Sequence, residues 1–168
     1  RGAQAGVLIK NAEALERLER VDTLVVDKTG TLTEGKPKVT AVVPAPGLDE
    51  AELLRLAASV ERASEHPLAN AIVASATERN LALADVTDFD SPTGKGAVGT
   101  VDGWGVAIGN AGFLAENGVA TDMLETEANR LRSEGATVVF VAVDGRAAGM
   151  VAIADPIKST TPAALQAL

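Results

Sequence analysis

The 168-residue sequence predicts an α+β unit, built as an antiparallel sheet with flanking helices, that is inserted into a partial α/β unit. An unbroken apolar run, Leu24 to Val26, is typical of a strand in a parallel sheet. From about residue 36 to residue 143, apolar residues instead alternate as in antiparallel strands. Two Asp-Gly pairs, Asp102-Gly103 and Asp144-Gly145, each separate two apolar runs, as in β-hairpins.

The predicted divisions are residues 1–34, the start of the α/β unit, residues 35–145, the inserted unit, and residues 146–168, a hinge and the return to the α/β unit. The linkers between the two units are expected near residues 34–36 and 145–154. Periodicity predicts the remaining early elements: a short helix over 11–20, a strand over 21–26 and a second strand over 39–43.

Helices are also expected from their end signals. Asp49 and Glu52 form a capping box at the start of a helix over 49–60. Pro67 suits the first turn of a second helix. Further helices are predicted from Asp122 and from about Ser159.

Composition excludes several classes of protein. A net charge of −8, with only three Phe and one Trp, argues against a nucleic-acid-binding surface. The sequence has no cysteine and a single histidine, His66, so it lacks disulfides, thiolate metal sites and a His-rich zinc site. A bound metal would need oxygen ligands, which favours Mg²⁺. No apolar run approaches the ~18–20 residues of a transmembrane helix, so the segment is expected to be soluble.

The segment Asp27 to Thr33 reads Asp-Lys-Thr-Gly-Thr-Leu-Thr and directly follows the predicted parallel strand. A carboxylate at the carboxyl end of such a strand lies in the crevice where α/β folds bind ligands. Gly30 permits a tight loop whose N–H groups and hydroxyls suit phosphate oxygens, and Asp is able to act as a covalent nucleophile. For any shorter fragment, a polar strand-to-loop turn would be the plainer interpretation.

These seven residues are identical to the signature of P-type ATPases, and the chain resembles that family over nearly its whole length. The resemblance implies that ATP phosphorylates Asp27, with Lys28 and Thr29 in the catalytic loop. It also implies a nucleotide-binding domain inserted into a haloacid-dehalogenase-like phosphorylation domain. Related phosphatases have a second Asp where this chain has Thr29. Because Thr is not a base at neutral pH, the phosphoenzyme should persist.

The segment Ser64 to Ala69 resembles the hallmark of the heavy-metal branch of this family. In that branch a His and a Glu five residues earlier contact adenine, which implies these roles for His66 and Glu61. Taken alone, a single histidine at a helix start is more often structural.

The segment Gly94 to Gly99 reads as G-x-G-x-x-G. The residues after it alternate like a strand, so a dinucleotide-binding helix is disfavoured, and a glycine turn is the plain alternative. The resemblance implies a third role, in which Gly94 and Gly96 let the backbone approach the nucleotide. Gly109 and Asn110 resemble a Gly-Asn pair of copper-type members, which implies a place in the nucleotide site and favours Cu⁺ over Zn²⁺ or Cd²⁺ as cargo.

Asp155 to Lys158 resembles the hinge where the family's chain re-enters its phosphorylation domain. The family's magnesium carboxylates and phosphate-binding lysine have no counterpart up to Leu168. The resemblance therefore implies a chain that binds ATP or ADP but lacks turnover, with Mg²⁺ at Asp27 only in the complete domain.

The resemblance further implies a cytoplasmic loop of a protein in the plasma or inner membrane. Its partners would be a transmembrane metal-transport domain and the remaining cytoplasmic domains of the same chain. Two alternatives remain open: a soluble haloacid-dehalogenase-type phosphatase or phosphotransferase, which Thr29 disfavours, and a non-enzymatic ATP sensor, which the intact Asp27 loop disfavours.

Overall fold

The computed structural model describes residues 19–167 together with Asn11, Glu13, Glu16 and Arg17. Of the helix predicted over residues 11–20, Glu13, Glu16 and Arg17 are helical, and residues 12, 14, 15 and 18 lie outside the described residues. The strands are β1 (Lys38–Pro44), β2 (Val86–Asp90), β3 (Gly96–Val101), β4 (Trp104–Gly109), β5 (Thr137–Val143) and β6 (Arg146–Ala154). The helices are α1 (Glu50–Glu61), α2 (Pro67–Glu78), α3 (Ala111–Glu116), α4 (Asp122–Ser133) and α5 (Thr161–Gln166). None of the described helices is long and apolar enough to cross a membrane.

All six strands form one antiparallel sheet in the order β1-β6-β5-β4-β3-β2. This arrangement confirms the predicted α+β class. Both Asp-Gly pairs form the expected hairpin turns, with positive φ at Asp102 (+50°) and Asp144 (+46°) and at the glycine after each. Two successive positive φ angles are the mark of a type I′ turn, which matches the twist of the flanking strands.

Helices cover both faces of the sheet. One apolar cluster packs α1 and α2 against one face, and a second packs α3 and α4 against the other. Strand β6 contributes to both clusters, because Val151 and Ile153 face the first while Met150 and Ala152 face the second. A strand buried on both faces reads as a continuous apolar run.

The predicted linker over residues 145–154 is therefore wrong. Residues Arg146–Ala154 form β6, which pairs with β5 on one side and β1 on the other. The sheet extends to Ala154, beyond the predicted domain boundary at residue 145. The apolar run after Asp144-Gly145 instead forms the second strand of the predicted hairpin.

The predicted strand over residues 21–26 is also wrong, since residues 21–27 adopt no regular secondary structure. Val25 is 93% exposed and Leu24 is 55% exposed. A strand of a parallel sheet needs hydrogen-bonding neighbours and apolar cover on both faces. Within the described part of the chain, no segment supplies either to these residues.

Candidate functional site

The strand register brings the starts of β1, β3 and β5 and the ends of β4 and β6 to one end of the sheet. A cavity of about 220 Å³ lies at this end. It is bordered by the last residue of α1, the start of α2, the turn before β3, the junction of β4 with α3, and the start of β5. All six residues to which the resemblance assigns a nucleotide role line this cavity, namely Glu61, His66, Gly94, Gly96, Gly109 and Asn110.

Glu61 presents a buried acceptor to the cavity. Its Oε2 atom is buried and has no hydrogen-bond partner among the described residues. Burial raises the pKa of Glu61, against the opposing effects of the Ser64 hydroxyl and the His66 ring. A carboxylate oxygen left unpaired in such a place is unfavourable until a donor reaches it, so the site is ready for a ligand that donates a hydrogen bond.

His66 is held by the helix that it caps. Its Nδ1 atom accepts a hydrogen bond of 3.2 Å from the backbone N–H of Leu68, in the N-cap position of α2. Its own backbone N–H donates to the Ser64 hydroxyl at 3.2 Å. Because Nδ1 is the acceptor, the neutral ring carries its proton on Nε2. His66 therefore caps α2 with one ring nitrogen and offers a donor on the other.

Gly96 and Gly109 face each other across β3 and β4. A Cβ atom on Gly96 would lie 2.2 Å from the carbonyl oxygen of Ile108 and 2.5 Å from the Phe113 ring. A Cβ atom on Gly109 would lie 2.6 Å from the carbonyl oxygen of Lys95. Tight packing behind the cavity wall thus requires both glycines, a reason that the sequence pattern did not reveal.

Gly94 and Asn110 complete the wall. Gly94 has a φ of +74° in an exposed turn, a conformation that favours glycine. Asn110 caps α3, its Oδ1 accepting from the backbone N–H of Phe113 at 2.9 Å. That bond engages the amide oxygen and leaves the amide nitrogen as a donor.

Strand β5 also contributes to the cavity wall, although no motif in its sequence predicts this role. Thr137, Val138 and Val139 line the cavity beside the motif residues. They belong to an ordinary apolar strand with no motif, and only the order of strands in the sheet brings them next to β4.

Asp27, Lys28 and Thr29 lie in a separate loop and do not line the cavity. The loop leads into β1, at the same end of the sheet but three strand spacings from β4, or ~14 Å. Asp27 is exposed and precedes a tight turn over Lys28–Leu32, in which Gly30 has a φ of +75°.

Thr33 holds this turn together. It is only 2% exposed, and its hydroxyl accepts from the backbone N–H of Gly30 at 3.0 Å and donates to the carboxylate of Asp155. That carboxylate also accepts from the backbone N–H groups of Gly35 (3.1 Å) and Lys36 (3.0 Å). The Thr33 hydrogen bond, followed by those from Lys36 and Gly35, lowers the pKa of Asp155. The chain passes between the sheet and the Asp27 loop twice, before β1 and after β6, and the ionised carboxylate of Asp155 hydrogen-bonds these two segments to each other.

The described residues do not supply a magnesium site. No three His, Cys, Asp or Glu side chains among them cluster closely enough to hold a metal ion. Asp27 is a single exposed carboxylate, and one carboxylate makes a weak site for Mg²⁺.

Comparison with known proteins identifies the family. A haloacid dehalogenase-like hydrolase profile matches residues 21–168. The chain is 57% identical to a copper-exporting P-type ATPase of Legionella pneumophila over 96% of this chain and 22% of that protein. It is 55% identical to a silver-exporting P-type ATPase of Salmonella typhimurium over 100% of this chain and 20% of that protein.

A solved structure of a zinc-transporting PIB-type ATPase superposes with a TM-score of 0.85 at 40% identity, over 99% of this chain and 27% of that chain. The chain thus spans about a fifth of the length of the curated relatives, 20% and 22%. It belongs to the haloacid dehalogenase-like hydrolases, and the relatives named here are heavy-metal-exporting P-type ATPases.

Proposed function

We propose that this chain is the ATP-binding cytoplasmic part of a P-type ATPase that exports a heavy-metal cation, and that the cavity beside Glu61 binds the adenine of ATP. The observation that carries the proposal is the unpaired, buried Oε2 of Glu61 in a cavity that is also lined by the donors of His66 and Asn110. The likeness to copper and silver exporters supports the same assignment.

The cavity suits a purine base better than a whole nucleotide. Its volume of about 220 Å³ lies below the ~300–1,000 Å³ of pockets that enclose drug-sized ligands. Adenine combines one exocyclic amine, a donor, with ring nitrogens that accept. In the proposed pose the amine donates to Glu61, and the ring nitrogens accept from Nε2 of His66 and the amide of Asn110.

The phosphates of ATP would extend out of the cavity towards the Asp27 loop at the same end of the sheet. We assign Asp27 as the nucleophile that takes the γ-phosphate, with Lys28 and Thr29 beside it. The Asp27 loop leads into β1, which is three strand spacings, or ~14 Å, from β4, and an extended triphosphate helps to bridge this separation. Thr33 and Asp155 fix the turn that presents Asp27.

The chain alone should bind nucleotide without turnover. Phosphoryl transfer needs a metal ion and a further cation to neutralise the developing charge, and the described residues provide no metal site. Loss of even one well-placed stabilising donor removes ~3–4 kcal/mol of transition-state stabilisation. Asp27→Asn should therefore leave nucleotide binding unchanged, and neither form should hydrolyse ATP at a measurable rate.

For the exported cation we infer Cu⁺. The inference rests on Gly109 and Asn110, which line the cavity and resemble the Gly-Asn pair of copper-type members. It also rests on the 57% identity to a copper exporter. Deleting the full-length gene should make its host sensitive to copper and leave zinc tolerance unchanged. Zinc sensitivity without copper sensitivity would contradict the assignment.

Titration calorimetry tests the binding proposal. The chain should bind ATP with a dissociation constant between high micromolar and millimolar, equivalent to ~4–6 kcal/mol. Glu65→Ala is a matched control, because Glu65 is exposed in the same segment but does not line the cavity. Absence of heat and of NMR shifts at about 10 mM ATP would refute the proposal.

A further inference from the structure

The cavity wall contains a positively charged side chain that is already paired with a carboxylate. Among the described residues that line it, Lys95 is the only one with a positive charge. Its ammonium lies 2.8 and 2.9 Å from the two carboxylate oxygens of Glu116, which is not itself in the wall. The two side chains are 50% and 58% exposed. Ion pairs this exposed are weak, but with both carboxylate oxygens in contact the charge of the ammonium is neutralised in the free chain.

The position of Glu116 follows from the short helix α3. Glu116 is the last residue of this helix, and Asn110 caps its first turn. The backbone N–H of Asn110 also donates to the carbonyl oxygen of Lys95 at 3.3 Å. Both partners of the ion pair are therefore attached to the same junction of β4 with α3. Whenever the cavity wall is formed, Glu116 lies within reach of Lys95.

A nucleotide brings two chemically different parts to this site, a neutral base and a polyanionic tail. The carboxylates of Glu61 and Glu116 repel the tail, and Lys95 attracts it only after leaving Glu116. Resting on the proposed function, we infer that Glu116 is a specificity-determining residue of the site. By holding Lys95 it makes the cavity select the adenine base with little contribution from the phosphates, and the tail stays free to reach the Asp27 loop.

The test measures dissociation constants for adenosine and for ATP by calorimetry at low ionic strength, without added divalent cations. In the wild-type chain the two constants should lie within about threefold of each other. Glu116→Gln should tighten ATP binding by about 3- to 10-fold, because the freed ammonium meets a polyanion, and leave adenosine binding unchanged. The gain should shrink as salt is added.

A second variant separates action through Lys95 from simple repulsion by Glu116. In a Lys95→Met background, Glu116→Gln should give no further gain in ATP affinity. A gain that persists in this background, or an unchanged ratio of ATP to adenosine affinity in Glu116→Gln alone, overturns the inference while leaving adenine binding intact. Failure of the wild-type chain to bind adenosine at all overturns both this inference and the proposed function.

Discussion

Replacing the amine of adenine by a carbonyl oxygen tests the role of Glu61 directly. Inosine triphosphate carries an oxygen where ATP carries its exocyclic amine. Its oxygen and the Glu61 carboxylate are both hydrogen-bond acceptors, so they cannot pair. In the pose proposed for adenine, the C6 oxygen of inosine would face the buried Oε2 of Glu61 and leave it unpaired, as it is in the free chain. We expect the wild-type chain to bind ATP more tightly than inosine triphosphate.

The size of the preference follows from the cost of an unpaired buried acceptor, ~1–3 kcal/mol. At about 1.4 kcal/mol for each factor of ten, this corresponds to a preference for ATP of about 5- to 150-fold. The upper part of the range applies if the carboxylate is fully ionised in the complex, since bonds to charged groups are stronger.

Competition calorimetry with both nucleotides gives the ratio of the two affinities. Glu61→Ala should reduce that ratio to about twofold or less, because the discriminating acceptor is gone. Glu65→Ala, exposed and outside the cavity wall, should retain the wild-type ratio. Equal binding of the two nucleotides by the wild-type chain, or a ratio that survives Glu61→Ala, would refute the reasoning.

Three further outcomes follow from the site. His66→Asn and His66→Ala should both weaken ATP binding several-fold. Only His66→Ala should also lower the free energy of unfolding, by ~0.5–2 kcal/mol, because asparagine still caps α2. ATP binding by His66→Asn as tight as that of the wild type would show that the histidine is purely structural. Burial raises the pKa of Glu61 above its ordinary 4.5. Its ionisation therefore opposes folding, and the stability of the wild type relative to Glu61→Gln should fall as the pH rises from that ordinary value through the raised one; a pH-independent difference in denaturant unfolding would contradict this. Thr33→Val should speed hydrogen exchange of the Gly30 amide by about 5- to 10-fold, while Thr33→Ser should preserve its protection. Identical exchange in both variants would show that the hydroxyl does not stabilise the loop.

The predictable parts of the fold are those with local causes. Positive φ at Asp102 and Asp144 needs residues such as Asp and Gly in sequence, so both hairpins were predictable. Pro67 likewise marks the start of α2. By contrast, β6 and the segment Leu24 to Val26 both contain apolar runs, and only β6 forms a strand because it has strands on both sides. Which runs find partners is decided by tertiary structure.

The candidate site divides in the same way. The motifs around Asp27 and His66 were recognisable because they resemble a family. The sequence did not reveal that His66 caps a helix through Nδ1, or that Gly96 is packed against a neighbouring carbonyl. Thr137 enters the wall only through the order of strands. The last two depend on contacts between residues distant in sequence, whereas the His66 cap is a local contact with Leu68 that depends on the orientation of the ring.

The central claim is that adenine binds in the cavity at one end of the sheet. An NMR titration of the chain with ATP locates the site residue by residue. We predict progressive shifts of the amides of Gly96, Gly109 and Asn110, with no shift of the indole N–H of Trp104, the single tryptophan, at the opposite end of β4. Shifts confined to residues outside the cavity, or none up to about 10 mM ATP, would contradict the account.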